Sequence, residues 1–268
     1  MRDCPWLTSV AAIVVGLSSI ALAEEKKSPV ASINVGVMSA YVWRSLTIND
    51  GVVVQPSLDV VHPFGLGLNV WGNLDIDDYN GKYEEREFSE VDLTVSYTLP
   101  LQGPAGVTVG YTEYLYPKEG NYNPEVPEGH PKVEPAKDAD TKEVWARVSI
   151  NPIDAMSFNV GVYRGVDEQK GLYGELVAAY TYCVTDALKA EAGVRMGIAD
   201  KKFAQANASG TEGGLFDWGA SLKLTYAVAD GLSVGAMFAH VDNIDDDVFP
   251  ETAVDVNWYW GLNTVLSF

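Results

Sequence analysis

Basic residues are scarce in this chain: 18 Lys and Arg stand against 37 Asp and Glu, a formal charge of −19. Contact with nucleic-acid phosphates needs clustered Lys and Arg, so nucleic acid is excluded as a natural partner. Long hydrophobic runs are also lacking. After residue 23 no apolar stretch approaches the ~18 residues that a membrane-crossing helix requires. Histidine is limited to His62, His130 and His240, and cysteine to Cys4 and Cys183. No Ser-His-acid arrangement is legible, and cysteine cannot supply a metal site. The chain is therefore not expected to be an enzyme, and it implies no cofactor and no metal.

What is present points elsewhere. Apolar residues make up 47% and aromatic residues 11%, too many for a disordered acidic chain. Arg2, the apolar run Val10 to Leu17 and the small-x-small site Ala21-Leu22-Ala23 read as a secretory signal peptide over residues 1–23. The segment is too short and wrongly flanked to be an anchor. Cys4 leaves with it, so the exported chain is expected to hold Cys183 as its one cysteine and no internal disulfide. Residues 24–268 then form a single domain.

Hydrophobicity repeats at period two. In residues 90–99, Val91, Leu93, Val95, Tyr97 and Leu99 share one face, and Glu90, Asp92, Thr94, Ser96 and Thr98 the other. Twelve such segments are read, at 32–45, 52–62, 66–77, 88–99, 106–116, 142–151, 157–165, 172–183, 188–199, 216–226, 232–241 and 254–268. Each is close to the ~9–11 residues of a tilted membrane strand, and none shows sustained helical periodicity. The connections alternate. Short ones, HPFG (62–65), LQGPAG (101–106), NPIDAM (151–156), VTDA (184–187) and VADG (228–231), separate longer ones at 78–87, 117–141, 200–215 and 242–253. The first and fourth outer loops, 46–51 and 166–171, are modest. This describes an all-β, up-and-down antiparallel transmembrane barrel of about 12 strands, with short periplasmic turns and long extracellular loops. Lipid permits only helices or closed barrels, because it offers the backbone no hydrogen-bond partner. A soluble sandwich or lipocalin-like barrel is the rival. It would bury the apolar face, whereas here the polar face is rich in Gly, Ser and Thr, as a crowded lumen needs. Outward aromatic residues Tyr41, Trp43, Tyr180, Tyr182, Tyr226, Trp258 and Trp260 read as interfacial girdles.

By the same parity the lumen receives the acids Asp59, Asp75, Asp77, Glu90, Asp92, Glu143, Glu175, Glu191, Asp217 and Asp255, and the bases Arg44, Arg147, Lys189, Arg195 and Lys223. One reading is a constriction whose field favours cations; the other is an ion-pair network that fills a narrow barrel. His240 is in phase with Leu232, Val234, Ala236 and Phe238 and is expected to face outward, away from Asp75 and Asp77. The acidic outer stretches 75–92 and 242–251 read as solvated loops rather than cation sites, since the latter lacks the Gly and terminal Glu of an EF-hand.

Two resemblances sharpen this. The final stretch NWYWGLNTVLSF sets Trp258, Trp260, Leu262, Leu266 and Phe268 on one face. It resembles the terminal strand of Gram-negative outer-membrane barrels, which in those proteins is the signal read by the barrel-assembly machinery. Residues 34–73 resemble the opening of the TorF-type porin family. The carrying features are Ser39-x-Tyr41-Val42-Trp43-Arg44, Asp50, Gln55-Pro56 and Trp71-Gly72-Asn73, with Tyr114-x-Tyr116-Pro117 and Glu143-Val144 later. Where that family usually has Gly after the Arg, this chain has Ser45. The resemblance implies a barrel in the cell outer membrane, in contact with lipid and lipopolysaccharide, and names no substrate. The resulting expectation is a porin-like channel for passive diffusion of small hydrophilic solutes, mildly cation-preferring. The alternative is a closed structural or surface-interaction barrel acting through its acidic loops.

Overall fold

The computed structural model describes residues 28–77, 85–117, 140–167 and 170–268. The signal peptide read at 1–23, most of the proline-rich connection 117–141, and residues 78–84 of the acidic outer stretch lie outside the described residues.

Twelve antiparallel strands close into one barrel. In chain order they are β1 (Val30–Met38), β4 (Val53–Val61), β5 (Leu66–Asp75), β6 (Glu87–Thr98), β7 (Ala105–Leu115), β8 (Thr141–Ile153), β9 (Met156–Gly165), β10 (Leu172–Cys183), β11 (Leu188–Ala199), β12 (Gly214–Ala229), β13 (Leu232–Asn243) and β14 (Trp258–Ser267). Each pairs with its neighbour in sequence, and β1 pairs with β14, from Ser32↔Ser267 to Met38↔Gly261, to close the ring. Two short strands, β2 (Tyr41–Trp43) and β3 (Leu46–Asn49), form a separate hairpin between β1 and β4.

The alternation in the sequence becomes two faces. Outside, large apolar side chains stand in the open, among them Leu68 (50% exposed), Val194 (58%) and Leu222 (51%). Left in water this band would oppose folding, so its exposure demands an apolar solvent. Inside, small residues make room for large ones. A Cβ added at Gly110 would overlap the Trp145 ring, and one added at Gly197 would collide with the Asp217 carboxylate. In β12 a bulge breaks the register between Met196↔Trp218 and Ile198↔Leu215. As a result the consecutive residues Phe216 and Asp217 are both fully buried.

Two expectations are corrected. The segment read as one strand over 32–45 ends at Met38, and residues 39–52 form a connection of their own. Residues 201–208, read as loop, form the helix α1 (Lys201–Ala208). Its N-cap Asp200 accepts from the Phe203 N–H, and its C-cap Ser209 takes φ 60°.

Candidate functional site

The connection 39–52 does not stay at the rim: its hairpin crosses the lumen to the far wall. Four hydrogen-bonded anchors define the crossing. Near its root Asn49 Nδ2 donates to Asp75 Oδ1 on β5 at 2.6 Å, and its Oδ1 accepts from the Gly51 N–H. Tyr41 donates to Glu90 Oε2 on β6 at 2.8 Å, with its ring against Trp71. At the tip, Arg44 meets Glu143 on β8 through two parallel bonds of 3.0 and 2.9 Å. Ser45 Oγ donates to Asp217 Oδ2 on β12 at 2.7 Å and accepts from Arg195 Nη2 on β11 at 2.8 Å.

The tip is strained and then clamped. Arg44 and Ser45 have φ 48° and 64°, the left-handed pair that a two-residue hairpin turn requires and that Asn-Gly usually supplies. Such backbone persists only where its surroundings over-determine it. Here they do. The Arg44 guanidinium lies 4.4 Å from the ring centres of Trp43 and Tyr173, and 4.6 Å from that of Tyr163. Burial opposes its charge, but Glu143 beside it holds its pKa above the ordinary arginine value. Ser45 stands where a glycine would be less strained because its hydroxyl bridges Asp217 and Arg195.

Aromatic packing seals one side of the outer end. Phe203 from α1 meets Tyr173 and Phe216, and Phe216 stacks on Phe249 with centroids 4.3 Å apart. On the other side, towards β6–β8, a cavity of about 230 Å³ remains, bounded by Tyr41, Trp43, Glu90, Tyr114 and Glu143.

The charged residues expected in the lumen fall into two groups. Four bases are matched to acids: Arg44 with Glu143 at 2.9 Å, Arg147 with Glu175 at 3.8 Å, Arg195 with Asp217 at 2.7 Å and Lys223 with Glu191 at 3.3 Å. Lys189 lies opposite Thr225 in the β11–β12 ladder. On the β4–β6 wall, Asp59, Asp75 and Glu90 have neutral hydrogen-bonding neighbours instead, and Asp92 is hydrogen-bonded to Glu90. Asn69 donates to Asp59, Asn49 and Asn73 donate to Asp75, and Tyr41 donates to Glu90. Buried oxygens of Asp59, Asp75 and Asp92 have no hydrogen-bond partner.

Some placements differ from the sequence reading. Tyr41 and Trp43 do not belong to an outward girdle: Tyr41 is buried and Trp43 packs on Tyr114 and Phe203. Arg44 lies on the crossing hairpin, not on a wall strand. Asp77 and Asp255 lie in outer connections, beyond the ends of β5 and β14. Trp258, Trp260, Leu262, Leu266 and Phe268 are all exposed on the outer face, with Phe268 bonded to the Ala31 backbone of β1. His240 also faces outward, against Trp218 and Trp258. Among the described residues no three His, Cys, Asp or Glu are placed to hold a metal ion. Sequence reasoning missed Ser45, Asn49, Tyr163, Tyr173 and Phe203. The turn signal Asn49-Asp50-Gly51 and the polar break at Ser39 were the marks that could have found the hairpin.

A closed 12-stranded antiparallel barrel, apolar outside and charged within, is the fold of the outer-membrane porins. The chain belongs to the Gcw_chp family of bacterial proteins of unknown function, whose sequence profile matches residues 23–261. A search of curated proteins returns no match. Among solved structures, a KdgM porin superposes with a TM-score of 0.54 at 12% identity, over 88% of this chain and 99% of its own. A NanC porin gives 0.53 at 8%, over 88% and 98%. The COG4313 outer membrane channel from Pseudomonas putida F1 gives 0.53 at 11%, over 92% and 97%. At these identities the likeness is one of fold.

Proposed function

We propose that this protein is an outer-membrane channel for passive diffusion of small hydrophilic solutes, mildly cation-preferring and narrowed by its own hairpin. The observation that carries the reading is the charge balance of the lumen. Its arginines are each matched to a carboxylate, while Asp59, Asp75, Glu90 and Asp92 have no cationic partner among the described residues. Fixed negative charge in a confined, poorly screened space raises local cation concentration. The porin-type fold and the resemblance of residues 34–73 to TorF-type porins support the channel class. The proposal involves no catalytic step and no resident cofactor, and residues 1–23 act as its export signal.

Reversal potentials of the refolded protein in a KCl gradient test this. Cation preference is expected at low salt, fading as the Debye length falls from ~10 Å at 0.1 M to ~3 Å at 1 M. Anion preference at low salt would overturn the reading and point to an acidic solute of the kind held by a KdgM porin solved with disordered oligogalacturonate.

The crossing hairpin and the aromatic seal also favour a second reading, a closed barrel that acts through its acidic outer loops. Absence of conductance in every salt, in the wild type and in variants with the hairpin tip released, is the result that selects it.

A further inference from the structure

The outer end of the lumen already holds one organic cation, and it is the protein's own. The Arg44 guanidinium sits between aromatic rings with a carboxylate, Glu143, closing the site. Rings attract a cation through their negative faces, more strongly where water is excluded, and the carboxylate fixes its position.

The adjoining cavity of about 230 Å³ repeats the rings and the carboxyl group, and the one basic residue on its lining, Lys142, is paired with Glu113 at 3.7 Å. Tyr41, Tyr114 and Tyr116 contribute rings, and Glu90 contributes a carboxyl group that is 5% exposed, accepts from the Tyr41 hydroxyl and shares a hydrogen bond with Asp92. Two residues along the same face of β6, Asp92 keeps a buried Oδ1 with no hydrogen-bond partner. Asp75, fully buried and close enough for its charge to act on Glu90, keeps Oδ2 without one as well. Three carboxyl groups are thus withdrawn from water with no countercharge among the described residues. Burial of that kind is costly unless a proton or a cation offsets it, and a cation entering the cavity displaces the proton shared by Glu90 and Asp92. The space is smaller than a typical drug-sized pocket.

We propose that this cavity binds a small organic cation of the guanidinium or alkylammonium class, held by Glu90, with Asp92 behind it, against the rings of Tyr41 and Tyr114. The inference rests on the channel reading only in that the solute must reach the cavity from outside, and it names the class of solute that the vestibule selects.

Saturation-transfer NMR on the methyl group of methylguanidinium, added to the full chain refolded in detergent micelles at low salt, reads binding without conductance. Saturable binding is expected, with none for N-methylurea, a neutral molecule of the same shape. Glu90→Gln and Asp92→Asn are each expected to weaken it at least tenfold, whereas Asp154→Asn, the same type of change in an exposed inner turn, leaves it unaltered. Heat-modifiable migration on gels reports folding. If Glu90→Gln does not fold, Tyr114→Leu removes a ring while keeping both carboxylates, and is also expected to weaken binding. No saturable binding, equal binding of N-methylurea, or indifference to these variants overturns the site. Binding without any conductance leaves the site standing and removes the channel, whereas cation-selective conductance without binding does the reverse.

Discussion

Replacing Arg44 with alanine is expected to raise the single-channel conductance of the refolded barrel several-fold while leaving the barrel itself intact. The reason lies in how the hairpin tip is held. Removing one partner of a buried ion pair costs ~3–5 kcal/mol, because the other charge stays buried and unpaired. In the variant that charge is Glu143, 9% exposed. The left-handed backbone at residues 44 and 45 costs a further ~1–3 kcal/mol each in non-glycine residues, and the wild type offsets this through the bonds at the tip. With the guanidinium gone, the cheapest response is for the tip to leave the lumen, which rehydrates Glu143 and relaxes the turn. The wall does not depend on the tip: β1 and β4 remain paired from Val30↔Val61 to Met38↔Val53. Arg44→Lys keeps the charge but loses the planar fork that matches a carboxylate and stacks on rings, so an intermediate conductance is expected. Recordings at 1 M KCl suffice, since the effect is one of open area rather than of field. Equal conductance in wild type and Arg44→Ala would show that the hairpin does not limit passage.

The barrel was legible in the sequence because each wall strand obeys one rule over ten or so residues, apolar outside and polar or small within. The hairpin was not, and the failure is instructive. Tyr41 and Trp43 share parity with Ile33, Val35 and Val37, so the alternation carries straight through Ser39 and Ala40 as though the strand continued. Period two reports which side of a strand a residue occupies, not whether the strand still belongs to the wall. Large aromatic residues suit a lipid interface and a packed plug equally well, so Tyr41 and Trp43 gave no warning. The lumen charges were legible residue by residue from parity, but their partners were not. Arg44–Glu143 spans 99 residues and Ser45–Asp217 spans 172, distances over which only the closed barrel fixes proximity. The helix α1 was hidden for another reason: at eight residues it is too short to establish a period, and only its caps, Asp200 and Ser209, mark it.

A lysine at Leu262 is expected to block assembly, and a lysine at the next residue, Asn263, is not. Leu262 lies midway along β14, 55% exposed on the outer face, opposite Val37 of β1 and Ala236 of β13. If that face meets lipid, a midplane lysine costs ~2–4 kcal/mol, which is roughly 30- to 700-fold in the ratio of inserted to uninserted protein. Asn263 lies on the opposite face, where its side chain donates to Asn34 across the closing seam at 3.0 Å. There a lysine gives up one neutral hydrogen bond, worth ~0.5–1.5 kcal/mol, and gains an acidic surrounding. Refolding into lipid vesicles followed by heat-modifiable migration measures the inserted fraction directly, and urea titration of the inserted form gives the energy. Making Trp260 and Leu266 polar as well should deepen the loss, since both lie on the same lipid-facing side. The pair of single variants also separates the membrane barrel from a soluble one of the same strand order. In a soluble barrel Leu262→Lys would be a tolerated surface change and Asn263→Lys an intrusion into the core, so the ranking of the two variants would reverse.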